Sequence, residues 1–381
     1  MSPTREISRL LRFAAPVACL LALAASALAA SALAAVGPGH WKSVHRLRIG
    51  REVHTATLLP DGRVLVTGGF NFTAGFTATT ELFNAHTRHW ESGSPMKVGR
   101  FGHTATLLPN GQVLVAGGAN VEGGYLSEAE LFDPQTDTWT ATDPMAKPRA
   151  NATATLLPTG KVLVAGGLNS GSTALASAEL YDPTTGHWTA AGRMKTGRFL
   201  HAATLLNDGR VLVVGGQDFS DTFRKSAEIY NPDTNSWSRA RSMHLARTNQ
   251  TATLLGDGRV LVAGGGDRAP GFTASAEIYS PKTNRWKAAR AMHAKRGFAS
   301  AVRLRNGLVL VLAGLNDSGA LRSAELYDPK HNTWTAAASL RGARLHQTAT
   351  LLGNGTVLVA AGALAGGKVV ATAEIYTAKT G

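Results

Sequence analysis

One frame recurs seven times along this chain. Its second copy reads Arg100-Phe-Gly-His-Thr-Ala-Thr-Leu-Leu-Pro-Asn-Gly-Gln-Val-Leu-Val-Ala-Gly-Gly118, and the same frame starts at Arg51, Arg100, Arg149, Arg198, Arg247, Arg296 and Arg344. The steps are 49 residues five times and then 48, and all seven tryptophans (Trp41, Trp90, Trp139, Trp188, Trp237, Trp286, Trp334) keep that interval. A repeat of this length is one supersecondary unit, unable to bury its apolar face without neighbours, so the period decides the architecture. The 381 residues would otherwise argue for two or three domains, a prior that the repeat overrides.

Each unit follows one plan. A first strand carries the Thr-Ala-Thr-Leu-Leu run and ends at a turn with glycine at 62, 111, 160, 209, 258, 307 and 355. Dipeptides such as Asp61-Gly62 and Asn110-Gly111 predict a tight two-residue hairpin with positive φ at both turn positions. The second strand, Val64-Leu65-Val66 and its equivalents, is apolar without alternation, as a strand covered on both faces should be. A Gly-Gly pair closes it and opens a variable loop. A third strand of the type Ser177-Ala-Glu-Leu-Tyr181 follows, then a turn, then a fourth strand bearing the tryptophan. Four short antiparallel strands in seven units, with no helical periodicity, predict an all-β, seven-bladed propeller. The chain stops at Tyr376-Thr-Ala-Lys-Thr-Gly381, where other units run on to His-Trp, and His40-Trp41 is that missing continuation. Residues 40–48 are therefore expected to complete the seventh blade and close the ring, making 36–381 a single domain.

The Gly-Gly pair, the tyrosine and the tryptophan at fixed offsets resemble kelch repeats. The Arg-x-x-His-Thr-Ala-Thr-Leu-Leu…Ser-Ala-Glu-Leu-Tyr-Asp-Pro version resembles bacterial kelch proteins of the type related to the central domain of galactose oxidase, over about residues 40–381. Such propellers host oxidases, epimerases and binding domains alike, so the resemblance implies the fold more than the function. The copper-radical chemistry of galactose oxidase needs a tyrosine cross-linked to a cysteine. Cys19 is the sole cysteine and lies in the N-terminal segment, so that activity is not expected.

Residues 1–35 read as a secretory leader, with Arg5, Arg9 and Arg12 ahead of an apolar run from Phe13 to Leu28 and Ala-Leu-Ala at 27–29 and 32–34. The rival reading is an uncleaved anchor, since apolar residues continue to Val36. Either way the expected destination is a periplasm or the exterior, with no membrane span once the leader is gone. The net charge of +14, less the +2 of Arg5, Arg9, Arg12 and Glu6, leaves +12 on the mature chain. That charge favours a polyanionic partner or else only keeps a basic protein soluble. Export and the lack of a concentrated basic run argue against nucleic acid.

Internal repetition separates packing from function without an alignment. A residue in every blade serves what all blades share; a site for one ligand needs residues that break the symmetry. Glu81, Glu130, Glu179, Glu228, Glu277, Glu325 and Glu374 recur as faithfully as the seven arginines, predicting seven buried Arg–Glu pairs. His54, His103 and His201 share one slot in blades one, two and four, elsewhere held by Ala152, Gln250, Ala299 and Gln347. They are weak metal candidates, because equivalent slots lie around a wide circle; hydrogen-bonded packing is the expected role, and no cofactor is expected.

What breaks symmetry collects on the face where the loops between second and third strands meet the crossovers between blades. Phe76, Tyr125, Phe223 and Phe272 share a slot and are expected to pack beneath their loops. Phe70, Phe72, Phe101, Phe199 and Phe219 are the candidates for exposed stacking surfaces, with Asn71, Asn120, Asp218, Asp267 and Arg268 as polar partners. Flat aromatics beside amides and acids suit sugar rings. The expectation is a monomeric, non-catalytic, exported propeller that binds a glycan or protein on this loop face. The alternative is a carbohydrate-active enzyme, similar to sialic-acid epimerases or lyases, working through axial Arg, Glu or His. A repeat arginine unpaired and open to the channel would favour it; with all seven paired to glutamates it loses its best residues.

Overall fold

The computed structural model describes residues 39–120, 124–171, 173–220, 222–267 and 271–378. The leader at 1–35 and Arg268 lie outside them. Seven four-stranded antiparallel sheets surround one axis. The second blade is typical: Thr104–Leu107, Val113–Ala116, Ala129–Asp133 and Thr138–Thr142 pair in that order from the axis outward. In the seventh blade, Thr348–Leu351, Val357–Ala360 and Ala373–Thr377 are completed by His40–Val44, with Trp41 opposite Tyr376. The ring closes through the N-terminal strand.

The period-49 pattern builds this ring by burying the same positions in every blade. All seven second strands are buried at every residue. Their two faces feed cores lying between blades rather than within them: Leu114, Ala116 and Ala129 of the second blade pack with Val162, Val164 and Tyr181 of the third. Each leucine or valine among them contributes about 1.5–3 kcal/mol by leaving water. Every tryptophan packs on the third-strand aromatic of its own blade, as Trp139 on Phe132 with centroids 5.0 Å apart. Every indole N–H donates to a carbonyl of the preceding blade at 2.6–2.8 Å, and Trp41 to Ala338 O makes the seventh link.

The hairpin differs from the sequence expectation. Only the glycine has positive φ (84° at Gly62), while Asp61 does not. Gly62 N–H donates to Leu59 O at 3.0 Å and Leu59 N–H to Arg63 O at 2.8 Å, a four-residue turn followed by a glycine bulge. Pro60, Pro109 and Pro158 sit second in these turns. Proline's fixed negative φ suits that position and forbids the mirror-image turn.

The arginine pins are present in all seven blades. Each guanidinium is at most 1% exposed and meets its glutamate at 2.6–2.9 Å. In the second blade, Arg100 also donates from Nη1 to the carbonyls of Gly117 and Glu128, both at 2.9 Å. The other oxygen of Glu130 accepts the Lys97 backbone N–H at 2.8 Å. Burial lowers each arginine pKa from its usual value, and the glutamate opposes that shift. The second glycine of each pair donates to the arginine carbonyl of the next blade, from Gly69 to Arg100 round to Gly362 to Arg51, both 2.8 Å.

Candidate functional site

Two residues beyond each arginine the chain reaches the axis and turns left-handed. Val53, Gly102, Asn151, Leu200, Asn249, Phe298 and His346 all have φ between 51° and 61°. That region suits glycine and asparagine; for Val53, Leu200 and Phe298 it costs on the order of 1–2 kcal/mol each. These residues form a collar. Gly102 N–H donates to Val53 O, Asn151 to Gly102, Leu200 to Asn151, Asn249 to Leu200 and Phe298 to Asn249, at 2.8–3.3 Å. Among the described residues no such bond joins Phe298 to His346 or His346 to Val53, so the collar opens at the seam between the last blades and the first.

Beneath the collar lie the slot residues. His54, His103 and His201 each meet, through Nε2, a threonine hydroxyl of the preceding blade: Thr348 at 3.1 Å, Thr55 at 2.9 Å and Thr153 at 2.9 Å. Gln250 instead donates from Nε2 to Val214 O at 2.8 Å. Burial first, then the neighbouring Arg100 and Arg198, lower His103 and His201 to about 3; His54 also lies well below the usual histidine value. These are neutral rings built into the seams between blades. Among the described residues no three His, Cys, Asp or Glu side chains come together to hold a metal ion.

Collar and slot residues line an open cavity of about 320 Å³ on the axis. Its walls are imidazoles, amides, Ala152, Ala299 and the apolar collar members. The side-chain amides of Asn151 and Asn249 make no hydrogen bond among the described residues and stand half-buried at the rim. One collar residue carries a charged partner. His346 Nδ1 lies 2.7 Å from Glu52 Oε2, with side chains 8% and 2% exposed. The Phe298 ring meets His346 edge-on, centroids 4.7 Å apart.

The loop-face candidates separate sharply. Phe72 alone stands clear, at 57% exposure, edge-on to Phe70 with centroids 4.8 Å apart. Phe70, Phe101 and Phe199 are buried, which corrects their reading as exposed stacking surfaces. Each pairs across a β-bridge (Glu52 with Phe70, Phe101 with Ala119, Phe199 with Gln217), which folds the loop over the ring. Phe219 is half-buried against the same cluster. Phe76 and Tyr125 pack below their loops as expected. Asn120 is buried. Asn71 caps its own loop, donating to Gly50 O at 2.6 Å and accepting from Thr73 N–H and Ala74 N–H. Asp218 accepts from Ser220 N–H and Thr222 N–H and pairs with Arg224. Asp267 is half-buried.

Sequence reasoning passed over Glu52, His346 and the collar. A signal was present. One residue after the repeat arginine, Phe101, Ala150, Phe199, Thr248, Gly297 and Leu345 are uncharged and Glu52 is the exception; the next position differs in almost every blade.

No curated protein matches the chain in sequence. Among solved structures, a fungal alcohol oxidase of the AA5 family in complex with copper aligns at TM-score 0.75 and 20% identity, over 90% of this chain and 77% of that one. The protein YjhT aligns at TM-score 0.60 and 16% identity, over 77% of this chain and 99% of its own. At such identities both likenesses concern the fold. A family profile described as the KLHDC2/KLHL20/DRC7 Kelch-repeats domain matches residues 53–265, and the Kelch motif matches 247–293 and 298–341. The first profile alone spans more than half of the chain, which therefore belongs to the kelch-repeat family.

Proposed function

We propose that this propeller is an exported binding scaffold that takes a carbohydrate or protein ligand on its loop face, centred on the mouth of the axial cavity. The observation that carries the reading is the pairing of all seven repeat arginines. Each is buried against its own glutamate, so the strongest chemical groups near the axis are spent on holding blades together. What is left at the mouth is suited to contact: the half-buried amides of Asn151 and Asn249 and apolar Leu200 and Phe298, while the exposed ring of Phe72 stands on the loop face. Weak polar contacts around a preformed concavity are the usual make-up of a ligand site. Export rests on the leader at 1–35 and its cleavage pattern.

The test is a glycan-array screen of residues 36–381 at low and physiological salt, with Phe72→Ala and Asn151→Gly alongside. Glycine already occupies the collar at Gly102, so Asn151→Gly keeps the backbone. Salt-resistant binding weakened in either variant supports the reading. Binding abolished by salt would mean that only the net charge was read. Absence of glycan binding moves the reading to protein ligands. The catalytic alternative retains one pair, Glu52 with His346; conversion of a bound sugar, followed by proton NMR, would favour it.

A further inference from the structure

Glu52 and His346 break the sevenfold pattern at one place. They meet where the seventh blade closes on the first, 294 residues apart in sequence. Glu52 is 2% exposed and reaches His346 Nδ1 at 2.7 Å. A carboxylate on Nδ1 takes the hydrogen bond from that nitrogen and fixes the ring's orientation, leaving Nε2 as the nitrogen open to another partner. No hydrogen bond among the described residues engages Nε2, and His346 lines the axial cavity. The ring is also braced: Phe298 packs edge-on against it, and its backbone is held left-handed at φ 53°. A fixed ring nitrogen thus adjoins a preformed space at the point where the collar is open.

The rest of the cavity limits what could occupy it. Every repeat arginine is neutralised by its glutamate, the slot histidines are neutral, and the carboxylate of Glu52 is turned onto His346. Among the described residues no Asp, Glu, Lys or Arg lines the cavity to balance an ionic ligand, whose desolvation would then cost more than it recovers. Amides at Asn151 and Asn249 donate and accept, while Val53, Leu200 and Phe298 supply apolar wall between them. About 320 Å³ accommodates a single ring.

We propose that His346 Nε2, oriented by Glu52, is the polar anchor of the axial cavity and hydrogen-bonds a hydroxyl of a neutral, monosaccharide-sized polyol. The proposal rests on the loop face being a binding surface and names the group that fixes the ligand there. Glu52 is a positioning residue, acting only through His346.

The test uses the full mature chain with nitrogen-15 labelled histidine and glucose, galactose, mannose and N-acetylglucosamine as probes at millimolar concentration. The expected result is an Nε2 resonance of His346, assigned from its loss in His346→Gln, that moves on addition of one of these sugars. The stacked pair His45 and His89, on the outer edge, should stay still. His346→Gln should weaken binding of that sugar roughly tenfold, the loss of one hydrogen bond. Glu52→Gln should weaken it comparably and shift the proton distribution between the two ring nitrogens, which a purely structural role would not do. A sugar that binds without moving His346, with unchanged affinity in both variants, overturns the anchor and leaves loop-face binding standing. If none of the four binds the wild-type chain, the polyol is overturned, whatever a protein ligand does on the same face. The wild-type resonances decide even if a variant fails to fold.

Discussion

Gly68 and His103 touch across the seam between the first two blades, so closely that a Cβ on Gly68 would lie 2.5 Å from His103 Cε1 and 2.7 Å from the Arg100 carbonyl oxygen. The first glycine of each pair is held at this contact in a left-handed conformation, with φ 66° at Gly68. Gly68→Ala should therefore lower stability by at least about 2 kcal/mol, combining left-handed strain with overpacking. The same position in the sixth and seventh blades holds Ala313 and Ala361, at φ 57° and 53°. Ala361→Gly should raise stability by up to about 1 kcal/mol, relief of strain partly offset by unfolded-state entropy. Urea unfolding of both variants checks the pair of opposite signs.

Acid should destabilise the ring through the slot histidines. His103 and His201 titrate at about 3 when folded, below the ordinary histidine value of 6.5. The unfolded chain then binds more protons between those values, so stability is intact above pH 6.5 and falls as pH drops towards 3. The slope is up to about 1.4 kcal/mol per pH unit for each ring. Glutamine fills the same slot at Gln250 and Gln347, so His103→Gln with His201→Gln should keep the fold and flatten this acid limb. Thermal midpoints measured from pH 7 to pH 4 give the comparison; equal slopes in wild type and double variant would count against it.

Breaking one arginine pin should cost far more than any surface change. Arg100→Met leaves the Glu130 carboxylate buried with only the Lys97 N–H to satisfy it, and strips donors from Gly117 O and Glu128 O. A loss of about 3–5 kcal/mol is expected. Chemical denaturation reads it directly, and a loss below about 1 kcal/mol, typical of exposed pairs, would contradict the burial.

Removing residues 36–44 should open the ring. The seventh blade would lose its outer strand, the Trp41 ring on Tyr376 at 5.0 Å and the Trp41 indole bond to Ala338 at 2.7 Å. Hydrogen exchange should then rise first in Ala373–Thr377, whose outer edge His40–Val44 covers. Loss of the buried tryptophan alone is worth about 3–5 kcal/mol. Unchanged exchange in that strand would refute the closure.

Much of the fold was legible in one chain because its seven copies act as their own alignment. The faithful recurrence of Arg100 with Glu130 predicted a buried pair, and the missing His-Trp after Tyr376 predicted that Trp41 completes the last blade. The Asp61-Gly62 dipeptide alone points to the mirror-image turn, whereas the ring of Pro60 before it selects the other one. The aromatic residues were misplaced for a different reason: Phe70, Phe101 and Phe199 look like loop residues, and only the bridges that fold the loops inward bury them.

The sequence by itself determined the number of blades, the identity of the pins and the closing strand, since each depends on local periodicity and on partners at constant spacing. The tertiary structure alone decided which groups face the axis. Glu52 and His346 lie 294 residues apart, and they meet because a closed ring makes its last blade the neighbour of its first. Such a contact has no period and leaves no spacing to read. It exists only after every interblade core has packed.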